Sequence, residues 1–281
     1  MRIVDVSKIE NAVRELSIET NRFLGEDIKS ALEQSLDKEE TETGREVIGQ
    51  IIENSRIAGE EGIPICQDTG FAIVFLEIGQ DVRLSGDNLK DAVNRGISRG
   101  YREGYMRKSI LRDPLTNPVN TGDNTPAVIH TEIVPGETVK VTLMPKGGGA
   151  ENMSRLGMLK PSDGLEGIRS FVVETVELAG ANACPPVIVG VGIGGTFDYV
   201  TLLSKKALLR KIGQRNEDPG IAKLEREWLK EVNSLGIGPG GFGGRITALE
   251  LFIEVFPRHI ATLPVAVNIQ CNAARAGTKI I

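Results

Sequence analysis

A polar loop that runs directly into an apolar segment is the most informative stretch of this sequence. The loop, residues 63–70, carries a thiol, an amide, a carboxylate and a hydroxyl at the consecutive positions 66–69. The sequence Phe-Ala-Ile-Val-Phe-Leu follows at once at 71–76, and a short continuous apolar run of this kind predicts a buried strand. Reactive groups tend to lie on loops that a rigid strand holds in place. We therefore expect this loop to carry chemistry.

Helical patterns alternate with short apolar strands along the rest of the chain, which predicts a layered α/β architecture. Apolar periodicity indicates a helical N-terminal segment over residues 1–62, followed by a layered core with short strands and glycine-rich loops. We expect residues 1–281 to form one catalytic domain that includes this segment. A β-hairpin is expected around Pro135-Gly136-Glu137, between strands at 127–134 and 138–144.

Glycine is abundant, at 33 of 281 residues, or about 12% against a usual ~7%. Its concentration in loops indicates close approach of the backbone to another group. Gly190–Gly195 matches the GxGxxG spacing and is expected to form a turn between a strand at 187–189 and a helix from Tyr199. No acidic residue ends a second strand about 20 residues later, so an NAD-dependent oxidoreductase is a weak alternative.

A second glycine-rich stretch, Lys146–Gly149, lacks the spacing of a nucleotide-binding P-loop. Three glycines after a strand instead allow backbone amides to approach a small ligand closely.

The charge and hydropathy of the chain exclude some partners. A net charge of −5 argues against nucleic-acid binding, which requires a basic face. No apolar run approaches the ~20 residues of a membrane span, and the N-terminus has no signal-peptide core. We expect a cytoplasmic protein that contacts neither nucleic acid nor membrane.

The chain contains three cysteines, Cys66, Cys184 and Cys271. An odd number with no CxxC pair fits neither a disulfide framework nor a zinc finger. One such cysteine alone is usually a small buried hydrophobe. All three lie at predicted element ends, however, and three thiolates on separate segments suit an iron–sulfur cluster with one iron not held by protein. The spacing alone leaves both interpretations open.

The two histidines of the chain are weighed separately from the cysteines. His130 lies in an alternating pattern and is predicted to be a strand residue. His259 lies in a Pro-Arg-His turn, where an exposed imidazole can meet a substrate, although an isolated histidine is more often structural.

Four motifs in combination carry a resemblance to a known family. They are Ile-Cys-Gln-Asp-Thr-Gly at 65–70, Lys-Gly-Gly-Gly-Ala-Glu-Asn at 146–152, Gly-Ile-Gly-Gly-Thr at 192–196 and Asn-Ile-Gln-Cys-Asn at 268–272. Together they resemble the iron–sulfur (class I) fumarate hydratases and, equally, the related L-tartrate dehydratases. The likeness covers nearly the whole chain.

The resemblance implies a [4Fe–4S] cluster held by Cys66, Cys184 and Cys271, with a fourth iron that binds the hydroxyl and a carboxylate of the substrate. It implies Asp68 and His259 as catalytic residues. It also implies a substrate-binding set made of Gln67, Asp68, Arg107, Lys146, Gly148 and Gly149.

The implied activity is the reversible dehydration of the dicarboxylate (S)-malate to fumarate, with L(+)-tartrate dehydration as the alternative. An alternative of another class is a non-catalytic metal-binding or scaffold subunit. The family's complete enzyme has a C-terminal half with further cationic residues and the proton-abstracting base. This chain ends ten residues after Cys271, so we expect an α subunit whose site is completed by a separate β subunit in a hetero-oligomer.

Overall fold

The computed structural model describes residues 1–281 and confirms the predicted α/β class. The helices are α1 (Val6–Arg22), α2 (Glu26–Lys38), α3 (Glu42–Glu61), α4 (Leu89–Glu103), α5 (Gly148–Asn152), α6 (Gly164–Ala179), α7 (Phe197–Ala207) and α8 (Pro219–Asn233). The strands are β1 (Arg2–Asp5), β2 (Phe71–Gly79), β3 (Val82–Ser85), β4 (Val128–Val134), β5 (Val139–Lys146), β6 (Arg155–Leu159), β7 (Val187–Gly195), β8 (Ala248–Arg258), β9 (Leu263–Gln270) and β10 (Gly277–Ile280). The helical N-terminal segment is present as α1 to α3, preceded by the short strand β1.

The chain divides into two compact units, each with its own apolar core. Unit 1 consists of residues 1–25, 54–148 and 275–281. Unit 2 consists of residues 26–53 and 149–274. The prediction that residues 1–281 act as one catalytic domain stays a prediction.

Unit 1 is built on a four-stranded sheet in the order β10-β5-β2-β4, with β2 in the interior. The apolar residues of β2 pack with α1 and α4 in a core that includes Val13, Leu76, Ile97 and Leu143. The predicted buried strand at 71–76 is therefore confirmed. Burial of these side chains is the main stabilising contribution, at roughly 1.5–3 kcal/mol for each large one.

The predicted hairpin at Pro135–Glu137 is wrong. The strands on either side of it, β4 and β5, do not pair with each other, because β2 lies between them, parallel to β4 and antiparallel to β5. The connection between β4 and β5 passes the end of β2 so closely that a Cβ on Gly79 would lie 2.2 Å from the carbonyl oxygen of Gly136. The apolar strand β2 thus lies between β4 and β5 and separates two strands that are neighbours in sequence.

Unit 2 contains a second four-stranded sheet, in the order β6-β9-β7-β8. The predicted turn at Gly190–Gly195 is wrong, because these residues continue strand β7. Added Cβ atoms on Gly190 and Gly192 would lie 2.3 Å from the carbonyl oxygens of Ser204 and Val200 in α7. The glycines therefore allow a helix to pack directly on the strand, and they form no phosphate-binding turn. The NAD interpretation loses its structural basis.

None of the helices combines the length and the apolar composition that crossing a membrane would require.

Candidate active site

The polar loop predicted to carry chemistry is held from behind by three buried side chains of unit 1. The backbone carbonyl of Asp68 accepts a hydrogen bond from Arg275 Nη2 at 2.9 Å. The carbonyl of Thr69 accepts one from the Tyr101 hydroxyl at 2.6 Å. The carbonyl of Gly70 accepts one from Asn124 Nδ2 at 3.1 Å and a second, also at 3.1 Å, from Tyr101. Three consecutive carbonyls therefore point into the protein, which fixes the path of the loop.

Burial raises the pKa of Tyr101 well above its usual range. Its hydroxyl is therefore protonated across the physiological range and remains a donor to the loop.

The Asp68 carboxylate is held at both oxygens. Oδ1 accepts a hydrogen bond from the Gly70 backbone N–H at 3.0 Å, and Oδ2 accepts one from the Gly148 N–H at 2.7 Å. A Cβ added to Gly147 would lie 3.3 Å from Asp68 Oδ2. The bare glycine turn therefore allows the carboxylate to approach the backbone and orients it firmly.

The other predicted residues of unit 1 lie around the same loop. Gln67 is exposed, and its Oε1 lies 3.4 Å from Cys66 Sγ. The backbone carbonyl of Arg107 accepts a hydrogen bond from the Thr69 hydroxyl at 2.7 Å. The side chain of Arg107 is exposed to solvent. Lys146 pairs with Phe71, the residue that directly follows the loop, and is buried, at 2% exposure. Unit 1 thus brings Cys66, Gln67, Asp68, Arg107, Lys146 and Gly148 to one place, and Gly149 is the first residue of the second segment of unit 2.

Cys184 and Cys271 belong to unit 2, where Asn272 connects them. Cys184 adopts left-handed backbone geometry (φ 54°, ψ 66°), and its side chain is exposed. Its carbonyl accepts hydrogen bonds from the backbone N–H of Asn272 at 3.1 Å and from the side-chain Nδ2 at 3.0 Å. Because Asn272 follows Cys271, this contact brings the two cysteines into the same region.

A glycine-rich loop at 236–244 lies against the backbone beside Cys184. The Gly240 N–H donates to the Pro185 carbonyl at 2.8 Å. A Cβ on Gly241, whose φ is +81°, would lie 2.3 Å from the Cβ of Ala181. The absence of side chains therefore allows the two loops to approach each other closely.

The far end of this loop is anchored by a buried carboxylate, Glu39, which is 2% exposed. Its oxygens accept hydrogen bonds from the backbone N–H groups of Thr41, Arg245 and Ile246 at 2.8–3.2 Å. Burial raises the pKa of Glu39, but these hydrogen bonds outweigh burial and hold the pKa below its usual range. The ionised carboxylate thus fixes the end of the glycine loop.

His259 lies elsewhere in unit 2. It is exposed, accepts a hydrogen bond at Nδ1 from the Ala261 N–H at 3.2 Å, and lines a cavity of about 480 Å³ with aromatic neighbours such as Phe197 and Phe256. His259 directly follows Arg258, which pairs with Gly195 at the end of β7. Cys184, in contrast, lies just before the start of β7. The nine-residue strand β7 separates these ends by about 30 Å. Unit 2 does not bring His259 to its cysteines, and its predicted pairing with Asp68 stays a prediction.

Comparison with known proteins places this chain in a family. The model of the fumarate hydratase (Fumerase) family matches residues 10–279. The chain belongs to the fumarate hydratase family. It is 46% identical, over 97% of both chains, to a Methanocaldococcus jannaschii protein provisionally named L(+)-tartrate dehydratase subunit alpha. It is 32% identical to the L(+)-tartrate dehydratase subunit alpha of Escherichia coli K12, over 98% of this chain and 91% of the relative.

Membership of the fumarate hydratase family identifies the chain as a hydro-lyase. The enzyme interpretation is therefore confirmed over the scaffold alternative.

The donor chemistry of this fumarate hydratase family member fits a thiolate-bound cluster. None of the three cysteines forms a disulfide, and none is fully buried. The backbone N–H of Asp68 lies 3.4 Å from Cys66 Sγ, as a donor toward the sulfur. Neither unit alone gathers three His, Cys, Asp or Glu side chains that could hold a metal ion, since Cys66 is in one unit and the other two cysteines are in the second.

Several residues that support the site carried little signal in the sequence. Asn272 could have been singled out because it adjoins a candidate ligand. Arg275 is the lone charge in the small-residue segment Ala273–Gly277. Tyr101 and Asn124 are distant from the loop in sequence, and only the fold brings them behind it.

Proposed function

We propose that this chain is the cluster-bearing α subunit of a hydro-lyase that interconverts (S)-malate and fumarate. The observation that carries the proposal is the Cys66–Gly70 loop, where a thiol and a carboxylate held at both oxygens lie two residues apart in a fumarate hydratase family member. A metal ligand and an acid–base group must lie within the length of one small substrate, and this loop meets that requirement.

The proposed cofactor is a [4Fe–4S] cluster with Cys66, Cys184 and Cys271 as its ligands. When bound, such a cluster supplies a Lewis-acidic iron that makes hydroxide a better leaving group. The support for this ligand set is its chemistry: the chain has only three cysteines, and all three are thiols outside the apolar cores.

The protein residues have separate roles in the proposed reaction. Arg107 presents an exposed guanidinium, which can form a bidentate contact with one substrate carboxylate. Gln67 can donate an amide hydrogen bond to the same end of the substrate. Asp68 holds a carboxylate in one orientation beside them, in position to exchange a proton with the departing hydroxyl. His259 is proposed as the second acid–base group from the family resemblance alone. Because the length of β7 separates it from Cys184 in unit 2, this role requires that His259 reach the site from another copy of the chain.

A separate β subunit is proposed to complete the site. The relatives are named as alpha subunits, which supports a hetero-oligomer. The substrate has two carboxylates, and Arg107, which contacts the loop through its backbone, presents an exposed side chain to one of them. The proton-abstracting base and further cationic groups are therefore assigned to the β subunit, and the enzyme is proposed to work in the cytoplasm.

L(+)-tartrate is the second candidate substrate, because the relatives carry that name. Tartrate differs from malate by one hydroxyl group, and discrimination at such a group rests on one or two polar contacts.

The test is a reconstitution under anaerobic conditions with iron, sulfide and a β subunit from the same organism. Malate and L-tartrate are compared as substrates: the first yields fumarate, and the second yields an enol that becomes a 2-oxo acid. We expect the larger kcat/KM for malate. A larger kcat/KM for L-tartrate would assign the second function, and no turnover of either substrate would refute both.

A further inference from the structure

Arg275 is a buried cation whose charge has no obvious purpose in the fold. It is 2% exposed, and both of its hydrogen bonds go to neutral acceptors, Asn21 Oδ1 at 2.8 Å and the Asp68 carbonyl at 2.9 Å. Its Nε is buried and has no partner. A buried charge without a paired opposite charge is costly. A neutral donor could supply the same two hydrogen bonds at lower cost, so the guanidinium requires an explanation.

The position of Arg275 behind the Cys66–Asp68 loop explains why a guanidinium is present. Asn21, its first acceptor, also accepts the Ile65 N–H through its backbone carbonyl at 2.8 Å. Arg275 therefore contacts both ends of the short stretch Ile65–Asp68, directly at Asp68 and through Asn21 at Ile65. The planar guanidinium presents donors in a fixed fork, so it sets the separation of these two points. Cys66 and Gln67 lie between them.

The charge of Arg275 is also placed close to Asp68. A Cβ added to Gly147 would lie 3.3 Å from Asp68 Oδ2 and 3.9 Å from Arg275 Nη2. The guanidinium and the carboxylate thus share the space that this glycine leaves open. The positive charge therefore also favours an anion at this loop.

We propose that Arg275 is the positioning residue of the Cys66–Asp68 loop in unit 1. It holds the loop in the conformation that presents the thiol and the carboxylate together, and its charge favours anionic groups there. This inference rests on the proposed function for its catalytic consequence, but its structural part does not.

The structural part is tested by hydrogen–deuterium exchange of the full chain, measured on a peptide covering residues 64–72. In Arg275→Met we expect exchange in this peptide to be at least tenfold faster, with the exchange of β7 unchanged. Arg275→Lys keeps the charge but offers one donor nitrogen, and it should give an intermediate rate. Lys279→Met removes a cation of the same terminal segment, one that pairs with Glu15 and Glu19, and should leave the loop unchanged.

Parent-like exchange of the 64–72 peptide in both Arg275 variants would overturn the proposal. If Arg275→Met does not fold, Arg275→Lys decides alone. A requirement for charge only predicts parent-like exchange of the 64–72 peptide in Arg275→Lys, whereas a positioning role predicts faster exchange.

The catalytic consequence is measured in the complex with the β subunit. We expect kcat of Arg275→Met to fall at least tenfold with KM within about threefold, and Arg275→Lys to recover part of the loss. Unchanged kcat despite a loosened loop would overturn the positioning role. If the parent complex turns over neither malate nor L-tartrate, the proposed function fails, while the exchange experiment still decides the role of Arg275.

Discussion

The carbonyl oxygen of Cys184 accepts two hydrogen bonds from one residue, Asn272, at 3.1 Å from the backbone N–H and 3.0 Å from Nδ2. Asn272 directly follows Cys271. Two of the three proposed cluster ligands are therefore positioned by a single neighbouring amide. The backbone bond depends only on the path of the chain, whereas the side-chain bond depends on residue identity.

The side-chain bond can be removed without a change of shape. Asn272→Asp cannot donate to the Cys184 carbonyl, and we expect the reconstituted cluster to be lost about fivefold faster on exposure to chelator, the equivalent of one hydrogen bond worth roughly 1 kcal/mol. Asn216→Asp is the control, because Asn216 donates a comparable bond to the Ile253 carbonyl elsewhere in unit 2. Equal rates of cluster loss in the two variants would contradict the assigned role of Asn272.

Removal of one proposed ligand should abolish the cluster and spare the fold. Cys184 is exposed, so Cys184→Ser creates no cavity, and we expect the parent's far-ultraviolet circular dichroism and melting temperature. Iron bound per chain after reconstitution should fall to background. Full iron content together with full activity in this variant would refute the ligand assignment.

The glycine loop behind Cys184 should not tolerate a side chain at Gly241. In Gly241→Ala the new Cβ would lie 2.3 Å from the Cβ of Ala181, and we expect a loss of about 2–4 kcal/mol in the free energy of unfolding. Gly243→Ala is the matched control, since Gly243 also has a positive φ (+86°) but no atom within 4 Å. It should lose only the roughly 1–2 kcal/mol of left-handed strain. A similar loss in both variants would show that contact with Ala181 is unimportant.

Glu39 gives a prediction that depends on pH. Its pKa in the folded protein lies below the ordinary value of 4.5, so the ionised carboxylate stabilises the fold above that value, and the stabilisation is lost as the pH falls through the lower folded pKa. Glu39→Gln should therefore be about 2 kcal/mol less stable than the parent at pH 7. The difference should shrink as the pH falls below 4.5.

Denaturant unfolding at several pH values provides the measurement for Glu39. Glu40→Gln is the control, because Glu40 forms an exposed ion pair with Arg245 and such pairs contribute little. A Glu39→Gln deficit that is constant across this pH range would contradict the assignment of an ionised anchor.

The sequence predicted those parts of the fold that depend on local pattern. The α/β class, the N-terminal helices and the buried strand at 71–76 follow from apolar periodicity, which the core preserves. Helix starts were less predictable. α1 is capped by Asp5 and α4 by Asn88, although Ser7 and Asp87 lie close by and are also residue types that cap helices. Neighbouring polar residues compete for the cap, and the tertiary path decides between them.

The errors arose where pairing over long distances in sequence overrode local signals. Pro135–Glu137 has the composition of a hairpin turn, but β2 occupies the space between its flanking strands. Gly190–Gly195 has the spacing of a phosphate-binding turn, yet its glycines serve the packing of α7. For the same reason Arg275 was missed, because the fold alone brings the last residues of the chain behind the loop at Asp68.

The initial rate of malate dehydration by this chain, with and without a β subunit, decides whether two chains share the active site. We predict fumarate formation by the reconstituted complex of the two chains and none by this chain alone at the same iron content. Turnover of malate by the isolated chain would contradict the shared site, and a complex that is inactive on malate would contradict the proposed reaction.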